Sequence, residues 1–539
     1  MERKWILVLG LIMLASSVML FAGGGQESSA EAAQKEEKIV VMAIASAWSG
    51  FFPYEVASGY DEIMNITIFD RLADPLSDQS VLPRALSSWE STDGGKKMIC
   101  HVNKDAAWHD GVPLTAADIV WSLQLFSDPD ATSNRRNTLN FMAGVDENGV
   151  ELSKNSIGAK IIDDYTLELE FKNPMVEFSV FNTMKQFVVL PKHLLKDIPS
   201  AEMAKNEIWQ HPIGSGPFMY ESEITGERVV LAANQNYQYG QIDYDKLVIR
   251  VVPTSNFLAG LISGEIDIIP SNLGSLVPSE FDLAKSQPNL VTESVTTPRF
   301  QLMTLNHKKE YMTKRVRLAI NMAMNKQAMV DHLLLGHGSV ADGLWPNESH
   351  PYYSPDVDWP QYDPEGARAI LEEEGWDFDR ELLLVVPTGN TTREKSAVLI
   401  QQDLKAIGMK VKLQSSDFAA MMSRLFASDD IDFGLIGGGG PLEPNEISVF
   451  FNLGGGCCNL SGLTDPTYNE FFARGLGYTK FEDRYPIYEE FQKYYAENTP
   501  YITLYSENLL PVYNKRLSNI HTADFITFSF RQWEWKVED

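Results

Sequence analysis

Pro212-Ile213-Gly214-Ser215-Gly216-Pro217-Phe218, then Gly226-Glu227-Arg228-Val229-Val230-Leu231, Asn234, Asn236 and Tyr237, and further on Gly264-Glu265-Ile266-Asp267-Ile268, form the stretch that decides how this chain is read. The order is turn, strand, turn, strand, helix and acidic turn. Phe257 to Ile262 has the length of a short helix ending at Gly264, and Glu265 to Ile268 opens a strand, so the acidic motif is a helix C-cap followed by a sheet edge. Nothing in it asks for chemistry.

On the N-terminal side, the Asp93-Gly94 and Asp110-Gly111 turns flank the strand Met98-Ile99-Cys100-His101-Val102, and Thr115 with Asp118 forms a capping box at the start of an amphipathic helix. His109 beside Asp110 is a surface or cap group at a turn, not a catalytic pair. Tyr165 to Phe171 alternates as a strand, and Val188-Val189-Leu190-Pro191-Lys192-His193 follows. On the C-terminal side, the apolar positions 316, 319, 320 and 323 recur at helical spacing. Asp363 and Pro364 open a helix that Gly375 closes. Leu382 to Pro387, Arg393 to Ile407 and Gly408 to Val411 alternate strand, helix, strand, which predicts parallel pairing with helices packed on the sheet. The fold class is therefore α/β.

With 539 residues the chain exceeds what one hydrophobic core organises, and 44% apolar with 22% charged residues is the composition of a soluble globular protein of several domains. A formal charge of −28 excludes nucleic acid as a partner, because a polyanion needs clustered Lys and Arg. The chain has no G-x-S-x-G elbow, no H-E-x-x-H and no Walker sequence, so no catalytic residue is assigned. A secreted glycosidase or other hydrolase is the distant alternative, since it needs only two carboxylates among 73 acidic residues.

Glu2-Arg3-Lys4 precedes an apolar run from Trp5 to Phe21 and the small residues Ala22-Gly23-Gly24-Gly25, which reads as a secretory signal over 1–22 with a solvated tether over 23–37. Cleavage after Ala22, Ala30 or Ala33 fits equally. No Cys occurs before Cys100, so lipidation has no acceptor, and a periplasmic or extracytoplasmic protein is expected. Cys457-Cys458 has neither CxxC nor HxxxH company and is read as two small side chains in a Gly-rich turn; no metal and no cofactor are expected.

Two segments are candidates for ligand contact. Trp48, Phe51, Phe52 and Tyr54 crowd the loop after the strand Lys38 to Ala47, where they serve either as core or as a stacking wall. The strand Asp432 to Ile436 exits into Gly437-Gly438-Gly439-Gly440-Pro441-Leu442-Glu443-Pro444-Asn445-Glu446. Ligands of open α/β sheets collect beyond the carboxyl ends of strands, and the glycines are expected to leave backbone N–H and C=O groups open. No Lys-Ser or Lys-Thr follows, so this is no phosphate loop.

Taken together, the motif near 212–268, the 82–123 block with His109-Asp110-Gly111-Val112-Pro113-Leu114-Thr115-Ala116, Leu190-Pro191-Lys192-His193, the helix Val316 to Val330 and Thr499-Pro500-Tyr501-Ile502-Thr503-Leu504 resemble the family 5 extracellular solute-binding proteins over nearly the whole chain. The resemblance implies a periplasmic-binding-protein type II-like fold of two lobes joined by a hinge. Lobe I would hold 38–74, 200–296 and 499–539, with an inserted domain over 75–199; the opposite lobe would hold 297–498. It also implies capture of an oligopeptide or similar extended solute by a monomer and its delivery to an ABC permease. In peptide-binding members an aspartate takes the peptide ammonium. Here Gly440 stands at that place and Gly438 replaces a tryptophan, so either Glu443 or Glu446 substitutes, or the solute is an oligosaccharide or a blocked peptide.

Overall fold

The structure, a computed structural model, describes residues 37–427, 430–451 and 459–538. The leader over 1–22, most of the tether and the pair Cys457-Cys458 lie outside these residues; Cys100 is a buried free thiol.

Three large sheets organise the described chain. The first has seven strands in the order Leu290–Thr292, Val512–Asn514, Ile268–Ile269, Ile39–Ile44, Lys246–Val251, Arg228–Ala233 and Phe218–Ile224. Ile39–Ile44 runs parallel to Lys246–Val251 in the register Ile39↔Lys246 to Ile44↔Val251. The predicted motif forms its edge: Phe218–Ile224 and Arg228–Ala233 are an antiparallel hairpin, and the helix Phe257–Ser263 ends at Gly264 with φ 79°, a left-handed cap that a residue without Cβ takes at no cost.

A second, antiparallel sheet of four strands, Leu86–Thr92, Lys97–Val102, Thr166–Glu170 and Ala159–Asp163, rides on the first. One hydrophobic core serves both, running from Val40 and Ile44 through Ile63 and Phe69 to Leu123, Leu167 and Phe181. The helix Ala116–Ser127 covers the four-stranded sheet, and its capping box is formed: Asp118 accepts from the Thr115 backbone and hydroxyl at 2.9 and 2.8 Å. His109 fastens the two motifs together. Its Nδ1 accepts from Gly214 N at 3.1 Å and its Nε2–H donates to Gly216 O at 3.0 Å, and burial pushes its pKa down to about 4.

The third sheet is mixed, in the order Gly338–Val340, Tyr501–Glu507, Phe300–Leu305, Phe433–Gly438, Glu381–Pro387 and Lys410–Ser416. Glu381–Pro387 pairs in parallel with both Lys410–Ser416 and Phe433–Gly438, as the strand-helix-strand pattern predicts, with the helix Thr391–Ala406 as the crossover. The sheet separates two cores. Met303, Leu305, Phe433 and Leu435 face one; Phe300, Leu302 and Ile436 face the other, with Trp345, Tyr488 and Phe491. The Asp363 cap is also as predicted, its carboxylate accepting from Gly366 N at 2.8 Å with Pro364 in the first turn.

Tyr501–Glu507 pairs with Phe300–Leu305 in the six-stranded sheet, and the chain returns to the first sheet only at Val512–Asn514. The two crossing segments run side by side, bridged at Val295 and Leu509.

The first sheet is locked to its neighbours by buried charge. Arg84 donates to Asp70 at 2.9 Å and Asp74 at 2.7 Å and lies 4.3 Å over the Trp533 ring; Arg71 donates to Glu62 at 2.8 Å, Asp74 at 3.1 Å and the carbonyl of Phe528 at 3.2 Å. Both arginines are 1% exposed. Removing one member of such a network leaves buried charge unpaired, at a cost of about 3–5 kcal/mol. The Arg84→Met protein is therefore expected to lose about that much unfolding free energy in a urea titration.

Candidate functional site

The parallel strands Glu381–Pro387 and Phe433–Gly438 end side by side, and the groups beyond their carboxyl ends make the first part of the site. Asn390 caps the helix Thr391–Ala406 by accepting from Arg393 N at 2.9 Å, which places Arg393 in the first turn. Arg393 donates through Nε and Nη2 to Gln301 Oε1 at 3.0 and 2.8 Å, and Gln301 Nε2 donates to Glu507 at 3.2 Å. Burial raises the Glu507 carboxyl pKa, with Gln301, Arg393 and Arg299 countering, and burial lowers the pKa of both arginines. Arg299 makes no side-chain hydrogen bond among the described residues. Two guanidinium groups against one carboxylate leave a local positive excess that can receive an anionic group.

The glycine run is partly open: Gly437 and Gly439 are exposed, Gly438 is half-buried and Gly440 is buried. A Cβ at Gly438 would sit 2.2 Å from the Phe300 ring, one at Gly440 2.2 Å from the Pro298 backbone with φ already +65°, and one at Gly437 2.8 Å from Arg393 and Gln301. Only Gly439 has clear space. Gly438 and Gly440 are therefore glycine because a ring and a backbone fill the room for a side chain, whereas Gly437 and Gly439 stand exposed. His350 anchors the next residue: its Nε2–H donates to Pro441 O at 3.0 Å while Nδ1 accepts from Tyr352 N at 3.2 Å, and its ring stacks on Trp345 at 5.0 Å. Burial, against the bond to Pro441, pushes the His350 pKa down to about 3.

Beyond Pro441 the segment is gripped from a separate two-stranded hairpin and from a helix. Gln79, held at φ 65° in the turn between Ala73–Pro75 and Val81–Pro83, donates to Leu442 O at 3.1 Å. Ser179 donates to Glu443 and Asn182 to Glu446; the two donors are three residues apart on the helix Glu177–Thr183 and so share a face. Arg484 donates to both oxygens of Glu443 and lies 5.4 Å from the ring centres of Tyr352 and Tyr488. These contacts roof a cavity of about 530 Å³, walled on one side by Asn137, Asn140, Phe141, Lys185 and Gln186 and on the other by Glu443, Glu446, Tyr478 and Arg484.

The aromatic loop is core. Tyr54 is 0% exposed, stacks on Phe187 and meets Phe126 edge-on, and its hydroxyl reaches the carbonyls of Ser122 and Val188. Phe52 packs on Tyr54 and Trp209, and Phe51 on Tyr220. Of the stacking wall only Trp48 remains half-buried, because the other three rings are worth more inside than along a groove. Among the described residues no group of three or more His, Cys, Asp or Glu side chains has a metal-binding arrangement, and no helix is long and apolar enough to cross a membrane.

Residues 80–457 match the family described as bacterial extracellular solute-binding proteins, family 5 Middle. The chain belongs to that family. Among curated relatives of this family 5 protein, the oligopeptide-binding protein AppA of Bacillus subtilis (strain 168) is 27% identical over 446 residues, 78% of this chain and 77% of its own. The periplasmic oligopeptide-binding protein OppA of Escherichia coli (strain K12) is 24% identical over 477 residues, 84% of each chain. Among solved structures, the ABC transporter substrate-binding protein CtaP of Listeria monocytogenes superposes with a TM-score of 0.82 at 20% identity, covering 94% of this chain and 100% of its own. AppA of B. subtilis in complex with a nonapeptide gives 0.73 at 22%, with the same coverage. The fold of the family 5 protein is accordingly the two-lobed periplasmic-binding-protein type II fold.

Sequence reasoning placed Glu443 and Glu446 beside the site and missed Gln79, Ser179, Asn182, Arg393 and Arg484. The three-residue spacing of Ser179 and Asn182 was visible, but nothing local distinguishes it from any polar helix face.

Two outcomes follow from the glycine and histidine geometry. Gly438→Ala should lower stability by about 1–3 kcal/mol through overpacking, whereas Gly439→Ala should leave the thermal midpoint nearly unchanged. His350, neutral in the fold but with an ordinary pKa of 6.5 when unfolded, makes the unfolded state bind the extra proton. Its stabilising effect is complete above pH 6.5 and is lost as pH falls toward 3. Replacing His350 by Gln should therefore flatten the dependence of unfolding free energy on pH below 6.5 by up to about 1.4 kcal/mol per pH unit.

Proposed function

We propose that the protein is an exported receptor that captures an oligopeptide or similar extended solute between its lobes and hands it to an ABC permease, without chemically altering it. The observation that carries this reading is the cavity between residues 137–141 with the helix Glu177–Thr183 on one side and the segment 443–449 with Arg484 on the other, whose walls meet through polar contacts at Glu443 and Glu446, next to that at Leu442. Such a seam opens and closes at little cost, and a solute touching both walls favours the closed form by its difference in affinity for the two conformations. In this reading one lobe comprises 38–74, 200–296 and the tail from 508, with 75–199 built onto it, and the other comprises 297–507. The relatives named for oligopeptide binding support the peptide class. The amide-rich wall of Asn137, Asn140, Asn182 and Gln186 suits sugar hydroxyls as well, which keeps an oligosaccharide as the second reading.

Export would depend on the leader over 1–22, and the mature receptor would work as a monomer outside the cytoplasm. Incubation with a mixed pool of oligopeptides and oligosaccharides, followed by mass spectrometry of what the protein retains, tests the proposal: retained solutes are expected intact, and cleaved ones would overturn it. Arg299→Ala should weaken peptides with a free carboxyl end about tenfold while changing the stability of the unliganded protein by less than about 0.5 kcal/mol.

A further inference from the structure

A second cavity, of about 630 Å³, lies on the side of the four-stranded sheet and shares no lining residue with the one at Glu443 and Glu446. Its floor is one face of the helix Ala116–Ser127 and its cap: Trp121, Gln124, Leu125 and Asp128 recur three and four residues apart, so their side chains line up. Two further segments are tied to the end of that helix. Glu151 N donates to Ser127 O at 3.0 Å, and the Glu151 carboxylate closes the turn that follows by accepting from the Asn155 N–H at 2.7 Å, with Asn155 at φ 59°. The Ser200 hydroxyl donates to Asp128 at 2.6 Å and fixes the segment 196–200 along the other edge. The walls are thus set by the fold itself.

The polar groups on these walls are largely unspent. Trp121 packs on the core yet stays half-buried, and neither its indole N–H nor the Gln124 amide makes a hydrogen bond among the described residues. Lys154 and Lys196 form no ion pair there either. Glu151 Oε1 is buried with no hydrogen-bond partner among the described residues; burial raises the pKa of that carboxyl, with the Asn155 bond countering and the Asp128 charge adding to the rise. Indole, amide and ammonium donors and carboxylate acceptors therefore stand together beside one large aromatic surface.

We infer that this cavity binds a short oligosaccharide of neutral or N-acetylated sugars. A sugar ring presents an apolar C–H face that stacks on an indole, and its hydroxyls both donate and accept, which this mixture of side chains satisfies in both directions. Other ligands fit less well. A peptide taken by strand addition needs an open sheet edge, which none of the three lining segments supplies, and a polyanion would meet Asp128, Asp130 and Glu151 against two lysines. The volume is within the range of sites that enclose a small ligand. The inference is independent of the capture reading above: all the walls lie within residues 121–200, so opening or closing of the seam at 442–446 leaves this site unchanged.

The test titrates the protein with tri-N-acetylchitotriose and with maltotriose by calorimetry. Wild-type protein is expected to bind at least one of them. Trp121→Ala should weaken that binding about tenfold or more, and Gln124→Ala, whose amide is bonded to nothing in the fold, about three- to tenfold. Asn182→Trp, which places a bulky ring in the cavity at Glu446, should leave it unchanged. Should Trp121→Ala fail to fold, Gln124→Ala carries the same reading. Failure of the wild type to bind either sugar, or undiminished affinity in the folded variants at 121 and 124, would overturn the inference. Loss of binding in Asn182→Trp with full affinity in Gln124→Ala would overturn it as well, by placing the sugar at the seam. None of these outcomes bears on whether the protein captures peptides.

Discussion

Arg71 and Arg84 must be neutralised where they lie, because an unpaired guanidinium in a protein interior is too costly to tolerate, and their partners come from distant parts of the chain. Glu62, Asp70 and Asp74 belong to the first segment, Tyr237 and Gln238 to the middle one, and Phe528, Ser529 and Trp533 to the tail. Burial raises the pKa of Asp70 in spite of Arg84. It opposes the ionisation of Asp74 too, but two guanidinium groups outweigh it there and that carboxyl stays below the usual range. The network thus forces three separated segments to converge, and with them the first sheet and the shared core beneath the four-stranded sheet. That half of the molecule behaves as one body because no segment can leave without stranding charge.

The seam between this body and the six-stranded sheet is built differently. The two crossing segments carry it at Val295 and Leu509, and His337, beyond the helix Lys326–Leu333, meets Asp282 and the Phe281 ring from the opposite lobe. At the other end it depends on Gln79, Ser179 and Asn182 reaching the segment 442–446. These are few polar bonds to groups that water satisfies equally well when the seam opens, each worth on the order of 1 kcal/mol net. A body held by buried ion pairs and a seam held by exchangeable hydrogen bonds is the division that domain closure around a solute requires.

Local signals survived folding intact. The Thr115–Asp118 box, the Asp363 cap and the Gly264 terminus each depend on residues within a turn of one another, so their sequence spacing is already their geometry. What failed to show was long-range. Nothing between Thr499 and Glu507 announces that Tyr501–Glu507 pairs with Phe300–Leu305, some two hundred residues earlier in the chain, and not with the strand that follows it. The same holds for Gly438 and Gly440, whose reason is the Phe300 ring and the Pro298 backbone, and for Tyr54, whose partners Ser122 and Val188 lie in the four-stranded half. Glu443 and Glu446 could not be told apart in sequence, since what distinguishes them is long-range: Arg484 and Ser179 bind the first, Asn182 the second.

The charge distribution is uneven over the molecule. A protein of net charge −28 draws cations toward its surface and repels polyanions at long range. Arg393 and Arg299 interrupt that field locally with a positive excess over Glu507, whereas Glu446 concentrates it in the cavity. An anionic group is therefore tolerated beside these arginines in spite of the overall negative charge.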